Sequence, residues 1–248
     1  MIGVSLPKEC FRPFGDVLSD LRGKFELWEV VSEMEHDVRH VSGAMASSEM
    51  AYQVHAPFSD MNPASLNVRA REYAVSALSE TIRRSADGGA KVVTVHPGII
   101  SPMGSYAKSK VLEASIESLK SLARVAEDSG VALAVENMPS GSWAFLTTAA
   151  ECQKVCAETG LPLCFDIGHA HLAGQEKDFF QMAELFVNVH VHDNNGGRDE
   201  HLTVGDGKSD FAGLKRALGR YKGNVVIEGR SIESAVESKK RLESLGFA

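Results

Sequence analysis

With 248 residues, 44% hydrophobic and 24% charged, the chain has the composition of an ordinary soluble globular protein and enough apolar material for one large core. Its net charge of −7 speaks mildly against a general nucleic-acid binder, although an acidic chain can still hold phosphates through metal ions and local Arg or Lys. No apolar run reaches the ~18 residues of a membrane-spanning helix, and MIGVSLPKEC runs straight into a strand without a charged-then-apolar leader, so a cytoplasmic protein with no membrane partner is expected.

Short β-branched apolar runs alternate with longer amphipathic ones. A strand is expected at Ile2–Leu6 and a helix at Phe14–Leu21. The second strand covers Phe25–Val31, with a polar helix after it. The third, Met50–His55, ends in the loop HAPFSDMNP, and Ser65 is placed to cap a long helix reaching Arg84. The fourth strand, Lys91–His96, ends at HPG, and its helix, Tyr106–Asp128, stops at Gly130. Val131–Glu136 leads into ENMPSG, and the helix Thr147–Glu158 closes at Gly160. Leu163–Asp166 leads into DIGHAH, with a shorter helix near Lys177–Leu185. The strand Phe186–His192, the helix Phe211–Tyr221, the strand Asn224–Glu228 and the helix Ile232–Leu245 complete eight β-then-α units. Strands alternating with helices imply a parallel sheet, and eight units in this length fit an α/β fold of one domain, a single (β/α)8 TIM barrel over residues 1–248. A doubly wound open sheet would normally carry GxGxxG after its first strand, and this chain does not.

Cys10, Cys152, Cys156 and Cys164 form no CxxC pair and read as buried small hydrophobes in a reducing compartment. The polar residues carry more information. His55, His96, Glu136, Asp166, His192 and Glu228 fall at the C-terminal ends of strands three to eight, one per strand. In a barrel those ends converge on one mouth, where active sites are built. Single strand-end acids are usually helix caps or solvated loop residues; six ligand-type residues in six consecutive equivalent places are not. Three carboxylates meeting without compensation would repel one another, and a divalent cation removes that cost. One metal is therefore expected on Glu136, Asp166, His192 and Glu228. A second ion has His55 and His96 available, with Glu136 as a bridge, and a third has His169, Asp199 and His201; His171 belongs to the same secondary set. His190, one pleat deeper than His192, is expected to support rather than ligate.

At HAPFSDMN, HPG, ENMP, DIGH, HVHD, RDEH followed by VGDG, and IEGR the sequence resembles the xylose isomerase-like barrel superfamily, which includes sugar isomerases, ketose 3-epimerases and endonuclease IV. The endonuclease IV branch implies three zinc ions on His55, His96, Glu136, Asp166, His169, His192, Asp199, His201 and Glu228; a two-residue shift would exchange His190 for His192. The epimerase branch implies one Mn2+ or similar ion on Glu136, Asp166, His192 and Glu228. It also implies proton exchange by Glu136 and Glu228, and substrate oxygens held by His169 and Arg198. Phe58 occupies the place of an aromatic contact in the nuclease.

The preferred reading is a divalent-metal-dependent sugar or sugar-phosphate isomerase or epimerase acting by proton transfer next to a carbonyl, with one to three ions, Zn2+ or Mn2+, and a small sugar substrate. The alternative is an endonuclease IV-like zinc phosphodiesterase acting on abasic DNA. The full ligand set favours the alternative. The acidic loop after the second strand (Glu33, Glu35, Asp37) and the lack of a basic, aromatic-interleaved segment oppose it.

Overall fold

The eight apolar runs pair in chain order into a closed parallel barrel. The strands are β1 (Ile2–Ser5), β2 (Leu27–Val31), β3 (Ala51–His55), β4 (Val92–Val95), β5 (Ala132–Glu136), β6 (Leu163–Asp166), β7 (Phe186–Val191) and β8 (Asn224–Glu228). The ring closes through β8 on β1, with Ile2 opposite Val225 and Ser5 opposite Glu228. The computed structural model describes residues 1–247. Around the barrel lie α1 (Phe14–Leu21), α2 (Val38–Ala46), α3 (Val68–Asp87), α4 (Lys108–Ser129), α5 (Ala149–Thr159), α6 (Ile167–Leu172), α7 (Glu176–Phe180), α8 (Phe211–Leu218) and α9 (Ile232–Ser244). No helix among the described residues is long and apolar enough to cross a membrane.

Alternation along the strands separates two environments. One set of side chains, including Trp28, Val54, Phe165 and Val189, is buried in the apolar core shared with the helices. Trp28 stacks on Phe14 of α1 at 4.8 Å, which ties β2 to the first helix. The other set points into the barrel and is unusually polar: Glu29, Gln53, Thr94, Asn188 and His190 are all buried there. Barrel interiors are commonly filled by Val, Ile and Leu. Here they are replaced by a hydrogen-bonded network in which Gln53 Nε2 and Asn188 Nδ2 donate to Glu29 Oε2 at 2.5 and 2.9 Å, and Asn224 Nδ2 donates to Gln53 Oε1 at 2.8 Å.

Three local expectations change. The long helix is capped by Asn67, whose side chain accepts from Ala70 N, so Ser65 lies in the preceding loop. DIGHAH is not only a strand end: Asp166 caps the short helix α6 by accepting from His169 N at 2.7 Å. The stretch near Lys177–Leu185 divides into α7 and a single 3-10 turn, Ala183–Leu185. α5 starts as an Asp/Ser/Thr-type cap should, with Thr148 and Glu151 in a reciprocal capping box, and Gly130 and Gly160 end their helices in the left-handed conformation.

Candidate metal centre

The strand ends deliver three adjoining groups of ligand-type side chains. The first joins His55 and His96 to Glu136, the second Glu136 to Asp166, His190 and Glu228, and the third His169 to His192, Asp199 and His201. Glu136 belongs to two groups because its oxygens divide. Oε2 lies 3.1 Å from both His55 Nε2 and His96 Nε2, while Oε1 lies 3.2 Å from His190 Nδ1. A carboxylate with one oxygen toward each of two cation-sized gaps is suited to bridging. Glu228 spans in the same way, with Oε1 at 3.1 Å from His190 Nδ1 and Oε2 at 3.4 Å from His201 Nδ1.

The seventh-strand ligand differs from the expectation. His190, not His192, faces Glu136 and Glu228, because β7 ends at Val191 and His192 lies beyond the last paired residue. His192 turns outward and sets Nε2 3.2 Å from Asp166 Oδ1 and 3.5 Å from Asp199 Oδ1. The structure also places Arg198 away from the site. Its side chain is 79% exposed and pairs with Glu200 at 3.4 Å, on the crest of the loop that Gly196 turns with φ 83°. His171 is likewise apart, 3.1 Å from Glu176. Phe58 is where a wall residue belongs: it stacks on His96 at 4.9 Å, meets His55 edge-on, and lines the cavity.

Several imidazoles are oriented by groups behind them, as metal-binding histidines generally are. His55 Nδ1–H donates to Ala56 O and His169 Nδ1–H to Asn137 O, both at 2.8 Å, which leaves each Nε2 free to ligate. Asn137 also clasps the main chain of Asp166 through both its amide atoms. His190 Nε2 meets Glu29 Oε1 at 2.8 Å, so its Nδ1 is the atom offered to Glu136 and Glu228. Glu29 is the residue that sequence reasoning left unassigned. Its signal was a lone acid alternating within the apolar run LWEVV.

The electrostatics without an ion show what the groups need. Burial alone would raise the pKa of Glu136, but His190, His55 and His96 hold it well below the carboxylate range. The same opposition holds Glu228 low, mainly through His190 and His201, and Asp199 low, through His169 and His201. Burial pushes His96 down. Against burial, the surrounding carboxylates push His169 up to about 10 and His201 up to about 9, and they raise His55 and His190 as well. Protons on imidazoles thus stand in for cations. Divalent ions fit the donor set better: Asp166 Oδ2 and both ring nitrogens of His192 are buried and make no hydrogen bond among the described residues. Nitrogen and carboxylate donors at these spacings suit Zn2+ or Mn2+.

Above the carboxylates opens a cavity of about 470 Å³. Its floor includes His55, His96, Glu136, His169, Asp199, His201 and Glu228, and its wall includes Phe58, Ile99, Met138, Pro139 and Trp143. Among the described residues that line it, none is Lys or Arg. The loops at this face also expose Phe11, Met34, Met103 and Tyr106. His201 sits in the left-handed region at φ 48°, a strained backbone for a non-glycine residue and one found disproportionately at functional sites.

Residues 23–245 match the family model described as xylose isomerase-like TIM barrel. The chain is 34% identical over 233 residues to the uncharacterized protein MJ1311 of Methanocaldococcus jannaschii, an alignment covering 88% of this chain and 80% of that one. It is 29% identical over 241 residues to a probable endonuclease 4 of Mycobacterium leprae, covering 91% and 87%. Among solved structures it superposes on a D-tagatose 3-epimerase-like protein with a TM-score of 0.89 at 31% identity, covering 98% of this chain and 96% of that one.

Proposed function

The chain belongs to the xylose isomerase-like TIM barrel family, and from that premise we propose that it is a divalent-metal-dependent isomerase or epimerase of small sugars. The observation that carries this reading is the pair of buried carboxylates, Glu136 and Glu228, at the floor of one small cavity whose lining contains no Lys or Arg. A divalent ion on Glu136, Asp166, His190 and Glu228 would supply Lewis acidity, polarising a carbonyl and its neighbouring hydroxyl. Glu136, held ionised by the imidazoles around it, accepts the proton from the hydroxyl-bearing carbon beside the carbonyl, and Glu228, once it has taken up a proton from solvent, delivers it to the opposite face of that carbon while Glu136 gives its own proton back to solvent. His169 Nε2, left free by the Asn137 carbonyl, serves as a donor to a substrate oxygen. Phe58, Ile99 and Trp143 form the apolar wall against which a small substrate would be held over the two carboxylates.

A second reading, phosphodiester hydrolysis at abasic DNA with three ions, is favoured by the separate His55–His96–Glu136 group, which a one-ion proton transfer does not require. The similarity to a probable endonuclease 4 supports it too. The cavity lining opposes it, since it holds no Lys or Arg where a protein gripping a DNA backbone would neutralise phosphates.

The test is solvent exchange. The protein, loaded in turn with Mn2+, Co2+, Mg2+ and Zn2+, is incubated with ketopentoses and ketohexoses in D2O, and deuterium at the carbon beside the carbonyl is followed by NMR. Exchange that disappears in Glu136→Gln and Glu228→Gln is the expected result. Incision of an abasic oligonucleotide, with no exchange on any ketose, would transfer the assignment to the second reading.

A further inference from the structure

The cavity over Glu136 and Glu228 has an apolar side that proton transfer does not use. Phe58, Ile99, Met138, Pro139 and Trp143 come from the loops after β3, β4 and β5, and the loop after β4 goes on to expose Met103 and Tyr106. Apolar side chains gathered at one exposed place mark a surface that something covers. These are braced before any ligand arrives. The main-chain N–H groups of Phe58 and Ser59 both donate to Glu33 Oε1 at 2.9 Å, and Ile100 N–H donates to Trp143 O at 2.7 Å, tying the loop after β5 to the loop after β4. The indole of Trp143 lies over Gly141, where a Cβ would come within 2.9 Å of Nε1. Trp143 is nevertheless 43% exposed, an aromatic face held in place and left open beside the cavity.

The other side of the mouth is closed to phosphate. Barrels that bind phosphate frequently do so in the loops after the seventh and eighth strands, with main-chain amides and a helix N-terminus. Here those amides are already taken. Gly205, Gly207 and Ser209 donate their N–H groups to the carboxylate of Asp193 at 2.9, 2.8 and 3.0 Å, and Asp193 is buried. A Cβ on Gly207 would lie 2.4 Å from Asp193 Oδ1, so glycine is what lets the amides close in. The nest thus holds an anion of the chain's own. The first turn of α9 is occupied too, with Ser234 N–H donating to Ser231 Oγ at 3.2 Å. Lys8 and Arg230, exposed after β1 and β8, stay outside the cavity lining. A phosphate inside would meet Glu136, Asp199 and Glu228 with no Lys or Arg to offset them. A hexose, given about 30 Å³ for each of its roughly twelve heavy atoms as an upper bound, still leaves part of the cavity's 470 Å³ unfilled.

We propose that the sugar taken by this site is unphosphorylated and carries an apolar substituent, an aryl ring above all, which packs on Trp143 between the loops after β4 and β5. An aromatic ring set against indole gains both buried area and ring-on-ring contact. The sugar half of the inference rests on the isomerase reading; the substituent half rests on the braced wall and the filled nest.

Three ligands that differ at one end only provide the test: D-fructose, 6-O-benzyl-D-fructose and D-fructose 6-phosphate, titrated by calorimetry into the Mn2+-loaded protein. The benzyl ether should bind at least about 10-fold more tightly than fructose, and the phosphate more weakly than fructose. The chain has two tryptophans and Trp28 is 1% exposed, so a change in emission on adding the benzyl ether reports on Trp143. Trp143→Ser should remove the benzyl advantage and Trp143→Phe should keep most of it; a merely structural role would move all three ligands together. No benzyl advantage, tighter binding of the phosphate, or an advantage that survives Trp143→Ser would each overturn the proposal. A protein dimer that dissociates in Trp143→Ser would overturn it as well, by giving the apolar wall to a second copy. Binding of the benzyl ether without deuterium exchange on any ketose would instead overturn the isomerase reading and leave the apolar subsite standing. Exchange on fructose with no benzyl advantage would do the reverse.

Discussion

Glu29→Gln tests the polar interior of the barrel as a support for the metal centre. The carboxylate is 0% exposed, accepts from the amides of Gln53 and Asn188 on Oε2, and pairs through Oε1 with His190 Nε2 at 2.8 Å. Glutamine keeps the volume but replaces one acceptor oxygen with an NH2 group. Turning the new oxygen toward His190 sets NH2 against the Gln53 and Asn188 amides. Turning it toward them sets NH2 against His190. Gln53 cannot flip to compensate, because its own oxygen holds Asn224 at 2.8 Å. At least one buried donor is orphaned, at a cost of about 1–3 kcal/mol. For a chain of this size that lowers the thermal midpoint by roughly 2–4 °C per kcal/mol. His190 also loses its tautomeric anchor, and such losses typically cost about 10–100-fold in metal affinity. The assay is competitive metal titration with thermal melts of chelated and loaded protein. The expected result is weakened binding at the Glu136–Asp166–His190–Glu228 group. Wild-type affinity at that group, together with an unchanged melt of the chelated protein, would refute the role assigned to Glu29.

The remaining predictions concern chemistry, pH and folding. Glu136→Gln should abolish turnover under either reaction, since it removes a bridging ligand and the proton acceptor together; retained turnover would refute the site. His55→Ala should separate the readings, with about 10-fold or less effect on proton exchange but a loss of more than about 100-fold for a three-ion hydrolase. In chelated protein His169 and His201 titrate near 10 and 9, above their unfolded value of 6.5, so the stability they contribute is complete below about pH 6.5 and is lost as pH rises through 9–10. Melts of chelated protein across that range check the sign, and zinc addition at pH 7 should release protons, detectable by calorimetry in buffers of different ionisation enthalpy. Asn67→Ala should cost about 1 kcal/mol through loss of the α3 cap and leave metal content unchanged, as denaturant melts and metal analysis would show.

Much of this protein is legible in one dimension. Alternation of short β-branched runs with amphipathic stretches marks the strands and helices, because side-chain burial repeats every two residues in one and every 3.6 in the other. A barrel brings strand ends together regardless of sequence distance, so His55, His96, Glu136, Asp166 and Glu228 are recognisable as one site from their positions alone. Side-chain parity then reaches its limit. His190 and His192 share a face only while the strand continues, and β7 stops at Val191. Tertiary structure sends His190 inward to Glu29, Glu136 and Glu228, and His192 outward into the space left by Gly168. The same holds for the loop beyond, where the fold-back at Asp193 and Leu202 turns Asp199 and His201 into the site and leaves Arg198 in solvent. Residue type and spacing determine that this chain gathers His, Asp and Glu side chains at a barrel mouth; which imidazole meets which carboxylate is decided by where a strand ends and how a loop turns back.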